Sequence, residues 1–550
     1  MNKSTKPQWS RLSKLTGFSL ALALLLMVAS CAPSTPFAIY VTATFFPTTE
    51  TPAAVQTATP APTTAVPTET PTVTTTDTHV PPTATETTLL MTNTPSVSGD
   101  MTNATSIAPT FTARGPIVGE GYIPPITSEP SPTGEATSEV TGELPTATPT
   151  PTLGAPLVSQ SLPNLDPSQI GIQLDINLSQ NDWFDAMGRI EQLGIDWVKV
   201  QIPWRDMQQI NRDERDNEFF RRAEQYLEDA NRRGLNVLIS VVKAPDWARG
   251  TTVESGPPND PNDLANFITI LLQEINPGLQ RDVLGEYIDA IEIWNEPNLI
   301  REWTGNLAFS GAGYMQLFAP SYQAIRAYSS TMPIITAGLA PTGNSAGSID
   351  DREFLRQMYG AGLGAYSDVI VGVHPYSWGN SPDSVCCGTQ GWDNDPHFFF
   401  ADTMRETREI MNANGHANVP IWITELGWAS WDGFPNEPPI GSEWMRFNDR
   451  WEQAGFTLRA LQITETSGNV GPVFLWNLNF AVLGDLARNG DERIAYSMIV
   501  PGSSCGIDVD STNRTERPLF WLLYDAVQHD INLPDHCGVP PNGVLPGLVP

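Results

Sequence analysis

From about residue 166 onward, short continuous apolar runs alternate with amphipathic segments of helical period. Residues 171–175, 195–203, 235–242, 288–294, 333–340, 368–373, 419–424 and 470–476 read as strands. Residues 182–193, 217–233, 261–275, 313–328, 351–359, 397–414, 443–464 and 517–527 read as helices. A strand that is apolar throughout is covered on both faces, which helices achieve when they follow parallel strands. Eight such units in 166–550 predict an α/β fold, a (β/α)8 TIM barrel with enlarged loops. The rival is an open doubly wound sheet, which would need a glycine-rich phosphate turn after its first strand. Asp175-Ile176-Asn177-Leu178 offers none.

The chain before residue 166 follows neither pattern. Lys3, Lys6, Arg11 and Lys14 precede an apolar run over 15–28, which ends in Val28-Ala29-Ser30-Cys31. A basic start, a short apolar stretch and small residues before a cleavage point predict a secretory signal over 1–31, too short for a lasting membrane span. Small residues directly before a cysteine resemble the bacterial lipobox, which implies cleavage there and lipidation of Cys31. Two acyl chains hold a protein at a membrane, since each buried methylene contributes about 0.8 kcal/mol. Residues 32–165 are about four-tenths Thr and Pro, with few aromatics and no sustained period. They predict a disordered linker with a span of about 60 to 70 Å or more. The expectation is an extracytoplasmic domain, lipid-anchored to the cell membrane or surface and held clear of it.

Charge narrows the choice of partner. The chain has 30 basic and 61 acidic residues, a formal charge of −31, and 166–550 alone has 25 against 51. That balance excludes nucleic acid, whose phosphates need a basic face, and disfavours anionic polymers. Five cysteines exclude a disulfide-built scaffold, and there is no C-x-x-C to seed a zinc or redox site. No His/Asp cluster in the sequence points to a catalytic metal. No cofactor is expected, and the expected state is a monomer.

A barrel places its chemistry at the C-terminal ends of the strands. Two of those ends carry a glutamate after a strongly apolar run: Trp294-Asn295-Glu296-Pro297-Asn298 after the fourth strand and Thr424-Glu425-Leu426-Gly427-Trp428 after the seventh. They are 129 residues apart, or three units of about 43. A carboxylate there is costly unless it faces the polar mouth. Each alone also reads as a helix-start residue stabilising a helix dipole. Two across one mouth are the minimum machinery for cleaving a glycosidic bond, one protonating the leaving oxygen and the other attacking the anomeric carbon or activating water.

With these residues the chain resembles the retaining glycoside hydrolases of clan A. The likeness rests on Asn295-Glu296-Pro297, on Glu425, on His374-Pro375-Tyr376 ending strand six, and on Trp476 in Phe474-Leu475-Trp476-Asn477 of strand eight. The resemblance implies an acid/base at Glu296, a nucleophile at Glu425 and an Asn295 that bonds the sugar 2-hydroxyl. It also implies that Tyr376 orients the nucleophile, that Trp476 stacks on sugar, and that the substrate is a poly- or oligosaccharide cleaved by double displacement. His374 also reads as a satisfied core histidine, and Trp476 as a packing aromatic. Family 5 generally has an arginine late in strand two and a histidine after strand three. Neither stands in Val198-Lys199-Val200-Gln201-Ile202-Pro203-Trp204 or in Val242-Lys243-Ala244-Pro245-Asp246-Trp247. Ala244-Pro245-Asp246-Trp247-Ala248 and Ile293-Trp294-Asn295-Glu296-Pro297-Asn298 are more similar to family 39.

Trp294 and Pro297 put apolar surface around Glu296, and an ionised Glu425 would repel a second charge, so the Glu296 carboxyl is expected to titrate above its ordinary range. Trp303, Trp378, Trp392, Trp428 and Trp431 follow these strands. About half of them, Trp428 included, are expected to touch sugar. Cys386, Cys387, Cys505 and Cys537 allow three pairings, of which Cys386–Cys387 with Cys505–Cys537 is favoured. A second class stays open: a non-catalytic carbohydrate-binding surface lipoprotein, either a decayed barrel or a solute receptor. Both glutamates speak against decay, and eight strand–helix units against a two-lobed receptor.

Overall fold

The computed structural model describes residues 161–548 apart from 216, 253–254, 276–286, 389–393, 484–485, 530–536 and 539. The signal segment with Cys31, the linker up to residue 160, and Trp392 lie outside the described residues. The eight apolar runs form β1 (Ile170–Leu174), β2 (Trp197–Pro203), β3 (Asn236–Val242), β4 (Ala290–Ile293), β5 (Ile334–Thr336), β6 (Val371–Val373), β7 (Ile421–Leu426) and β8 (Val470–Leu475). Neighbours pair in parallel in the spatial order β5-β4-β3-β2-β1-β8-β7-β6. Parallel bridges Ile335–Ile370 and Leu339–Val373 join the β5 and β6 segments and close the sheet into a barrel.

The interleaved helices are α1 (Gln180–Leu193), α2 (Glu218–Arg232), α3 (Pro261–Ile275), α4 (Gly311–Tyr328), α5 (Asp351–Gly360), α6 (Phe400–Ala413) and α7 (Arg450–Thr466), with α8 (Pro518–Gln528) after β8. Local chemistry sets their ends. Ser179 accepts from the Asp182 N–H at the start of α1, which stops at Gly194 in the left-handed conformation, φ 73°. Asn217 caps α2, and Asp449 with Glu452 forms a reciprocal capping box on α7. Among the described residues no helix is long and apolar enough to cross a membrane.

Outward-facing strand residues such as Ile170, Ile172, Val198 and Val200 lie in the main core with the helices. Inside the barrel the chemistry changes along the axis. Near the N-terminal end Leu238, Ala290, Ile335, Ile370, Trp422 and Phe474 form a separate cluster with Trp197. Gly171 and Gly471 make room for it, since a Cβ at either would overlap the Phe474 or Trp422 ring. Two residues further along six of these strands come Gln173, Lys199, Ser240, Glu292, Thr424 and Trp476. Because side chains alternate along a strand, these face the same axis, and a polar layer lies on the apolar plug. The β7–β8 register shifts between Ile423 and Leu426. This irregularity lets the consecutive Thr424 and Glu425 both reach the axis.

The segments after β7 and β8 build a second, smaller core around Trp431, Phe434, Trp444, Ile494 and Tyr496. An antiparallel sheet of β9 (Ile499–Ser503), β10 (Gly506–Ile507) and β11 (Arg514–Glu516) adjoins it. Neither follows from the strand–helix alternation in the sequence. Disulfides join Cys386 to Cys387 and Cys505 to Cys537, the pairing favoured above.

Candidate active site

The chain turns sharply where β4 reaches the mouth. Trp294 (φ 76°) and Glu296 (φ 42°) both take left-handed conformations, which cost a non-glycine residue about 1 to 3 kcal/mol each. Buried contacts hold them there. Trp294 packs edge-on against Trp303 at 5.9 Å and donates its indole N–H to the Glu302 carbonyl. The Glu296 N–H donates to the Gly338 carbonyl at 3.0 Å. Asn298 donates to the Ala340 and Ile349 carbonyls and accepts from the Ala340 N–H. These bonds lock the Asn-Glu-Pro-Asn phrase to the segment after β5.

Glu296 and Glu425 meet across the mouth: an oxygen of each and a ring nitrogen of His374 all lie within 4.8 Å of one another. His374 Nδ1 is 3.2 Å from Glu296 Oε1 and 3.8 Å from Glu425 Oε2. Tyr376 donates its hydroxyl to Glu425 Oε2 at 3.0 Å. Glu425 Oε1 accepts from Lys199 Nζ at 3.2 Å and from Gln201 Nε2 at 3.4 Å. Glu296 Oε2 accepts from Arg301 Nη2 at 3.1 Å.

Beneath lies a third glutamate. Fully buried Glu292 pairs with Lys199 at 3.1 Å and accepts from Thr424 Oγ1 at 2.7 Å, the Gly338 N–H at 3.0 Å and the Ser240 hydroxyl. His374 Nε2 lies 3.0 Å from Thr424 Oγ1. Thr424 gives its proton to Glu292 and so accepts from His374, completing a path Glu296–His374–Thr424–Glu292–Lys199–Glu425. At Gly338 a Cβ would overlap the His374 ring, so no larger residue fits.

Three carboxylates thus share the site with Lys199, His374 and Arg301. Burial raises the Glu292 pKa, but Lys199 and then His374 outweigh it and hold the carboxyl below its ordinary range. Burial lowers that of Lys199, yet Glu292 and Glu425 keep it above the usual lysine value. For Glu296 the sequence expectation is reversed. Burial does raise its pKa, but the His374 hydrogen bond and the Arg301 charge more than offset this, and the carboxyl sits below its ordinary range. His374 moves the other way: burial lowers it, while Glu425 and Glu296 raise it further. The proton of the Glu296–His374 pair therefore rests on His374. Burial, then Glu425, push Tyr376 well above its ordinary value, which keeps its hydroxyl a donor.

Of the other sequence candidates, Asn295 has a buried Oδ1 without a hydrogen-bond partner, and half-buried Trp476 packs against Phe480 at 5.1 Å. Trp428 does not face the mouth. Its ring packs against Phe400 of α6 and Phe456 of α7, and its N–H donates to the Asn380 carbonyl at 2.8 Å. Beyond Gly427 the chain has left the barrel axis, so Trp428 is a packing residue. Trp303 and Trp431 are also buried with their N–H groups bonded, while half-buried Trp378 stacks on Phe398 at 3.7 Å.

Lys199 and Glu292 are functional residues that the sequence analysis did not assign. They did leave a signal, each lying in the middle of an apolar run and being the one charged residue of β2 or β4. Arg301 left none, because its place is set by the loop. Glu296, His374 and Glu425 have the spacing of a metal-ligating trio, as do Asp350, Asp351 and His397. In the first, Lys199 and Arg301 already pair with the carboxylates, and His374 is hydrogen-bonded through both ring nitrogens, to Glu296 and to Thr424. In the second, His397 bridges Asp350 and Asp395 through both ring nitrogens.

No family model matches the chain, and no curated protein matches it in sequence. Among solved structures it is similar to a family 39 glycoside hydrolase from the gut symbiont Bacteroides cellulosilyticus WH2, at 16% identity and a TM-score of 0.48 over 68% of this chain and 66% of that one. It thus covers just under two thirds of that protein. It is also similar to a family 1 beta-glucosidase from Exiguobacterium antarcticum B7, at 13% identity and TM-score 0.44 over 68% and 100% of the two chains. A third is a trimodular endoglucanase of family 5, subfamily 4, at 16% identity and TM-score 0.40 over 65% and 60%.

Proposed function

We propose that this chain is a glycoside hydrolase that cleaves O-glycosidic bonds of a poly- or oligosaccharide by double displacement, with retention of anomeric configuration. The observation that carries the reading is the approach of Glu296 and Glu425 oxygens to within 4.8 Å. Retaining pairs are spaced by about 5 to 5.5 Å, whereas inverting pairs stand roughly 6.5 to 9.5 Å apart to admit a water. Glu425, aimed by Tyr376, Lys199 and Gln201, attacks the anomeric carbon. The glycosidic C–O bond breaks, and the leaving oxygen takes a proton from Glu296. That proton comes from His374 Nδ1, 3.2 Å away, a transfer that leaves the net charge of the cluster unchanged. Glu296, now ionised, accepts a proton from the water that attacks the ester, and Glu425 departs.

The test is a glycan panel with products read by mass and the first-formed anomer read by proton NMR. Glu296→Ala should lose about two to four orders of magnitude in kcat/KM on sugar leaving groups. It should lose far less on dinitrophenyl glycosides, which need no proton, and azide should restore its second step. An inverted first-formed product would remove Glu425 from the nucleophile role, and glycan binding without cleavage would return the chain to the binding class. For the segment outside the described residues we propose an extracytoplasmic lipoprotein anchored at Cys31. Cys31→Ser should move the protein from the membrane fraction to the soluble one, and continued attachment of the processed variant would overturn that assignment.

A further inference from the structure

Two polar groups, one of them bonded to the proposed acid, each have a buried atom left unsatisfied. Glu492, in the segment after β8, accepts from Ser442 Oγ at 3.1 Å through Oε2, while its buried Oε1 has no hydrogen-bond partner. Arg301 gives Nη2 to Glu296, and its buried Nη1 likewise has none. Both belong to one mouth. The Arg301 charge acts on the Glu492 carboxyl, and Tyr496 feels Glu492, Glu296 and Glu425 together. The Tyr496 ring lies 5.7 Å from that of Tyr376, the donor to Glu425.

An unpartnered buried donor and an unpartnered buried acceptor are each costly for the protein alone, and a ligand group of complementary chemistry relieves both. Burial pushes the Glu492 carboxyl up to about 8, with Ser442 and Arg301 offsetting it only in part. Below that pH it is neutral and can donate as well as accept. A ligand carboxylate would suit Arg301 but would sit among Glu292, Glu296 and Glu425. An ammonium would suit Glu492 but would meet the Arg301 guanidinium. A hydroxyl, donor and acceptor at once, suits both.

We infer that Glu492 and Arg301 form a fork that recognises one hydroxyl of the sugar seated between Glu296 and Glu425, and that Glu492 is a specificity-determining residue. This rests on the glycosidase reading. The probes are 4-nitrophenyl pyranosides of the gluco, galacto, manno and xylo series, both anomers, and the monodeoxy forms of whichever is cleaved fastest. For the wild-type chain, removing the recognised hydroxyl should lower kcat/KM by about 10- to 100-fold. Glu492→Ala should lose a similar factor on the parent glycoside and no more than about twofold on that one deoxy analogue. Glu492→Gln keeps the volume, and its parent-to-analogue ratio should move at the same position and at no other. It carries the test if the alanine variant does not fold. Equal losses on the parent and every deoxy analogue, or no loss on the parent, would overturn the fork while wild-type cleavage left the glycosidase reading standing. Absence of cleavage of every pyranoside and glycan by the wild-type chain would overturn both.

Discussion

Glu425→Ala should lower turnover by about five orders of magnitude on every substrate, whatever its leaving group, because among the described residues Glu425 is the carboxylate set against Glu296 across the mouth. The loss should separate from folding. Lys199 keeps Glu292 as a partner at 3.1 Å, so the thermal midpoint should change little. Removing the carboxylate also leaves the Tyr376 hydroxyl and one side of Lys199 facing a small anionic vacancy. Azide or formate should therefore enter, attack the anomeric carbon from that side, and return part of the activity on aryl glycosides as a product of inverted configuration. Full activity in Glu425→Ala, or rescue with retained configuration, would contradict its assignment.

Lys199→Met should destabilise the fold by about 3 to 5 kcal/mol, the usual consequence of stripping one partner from a buried ion pair. Lys199 is fully buried and is shared by Glu292 and Glu425. Methionine fills most of the volume, so the loss measures charge rather than packing. The companion test is the double variant Lys199→Met/Glu292→Gln, in which the deepest unpaired carboxylate is gone. Much of the stability should return in chemical denaturation at neutral pH, whereas activity should not, since Glu425 still lacks its cation. A single variant as stable as wild type to within about 1 kcal/mol would mean that the pair is not held as described.

The barrel was legible because the strands are largely apolar and most of the helices keep one apolar stripe, so the eight units stand out without knowledge of their partners. Glu296 and Glu425 stood out because a carboxylate at the end of an apolar strand is costly unless it faces the mouth, whereas His374 and Tyr376 came only through the family resemblance. Lys199 and Glu292 were harder. They sit inside strands, and their partnership depends on the barrel bringing together neighbours from β2, β4 and β7. The sign of the Glu296 shift was misjudged for a related reason. Its apolar neighbours are adjacent in sequence, whereas the counter-charges that outweigh them come from a histidine 78 residues away and from a loop arginine. Trp428 was misplaced because three residues beyond Glu425 the chain has already passed behind the barrel wall.

The path from Glu296 to Glu425 has a consequence for how such a protein could acquire new substrates. Lys199 and Glu292 are its fully buried charges, and Gly338 leaves no slack against the His374 ring, so a single change at either of that pair strands a buried charge before any benefit can accrue. The rim is free of that constraint: the described residues of 428–447 and 478–516 share a core around Trp431, Trp444 and Tyr496. Descendants of this sequence should therefore diversify in the rim loops while the floor stays frozen, and a library confined to the rim should retain far more folded members than one of equal size aimed at the floor.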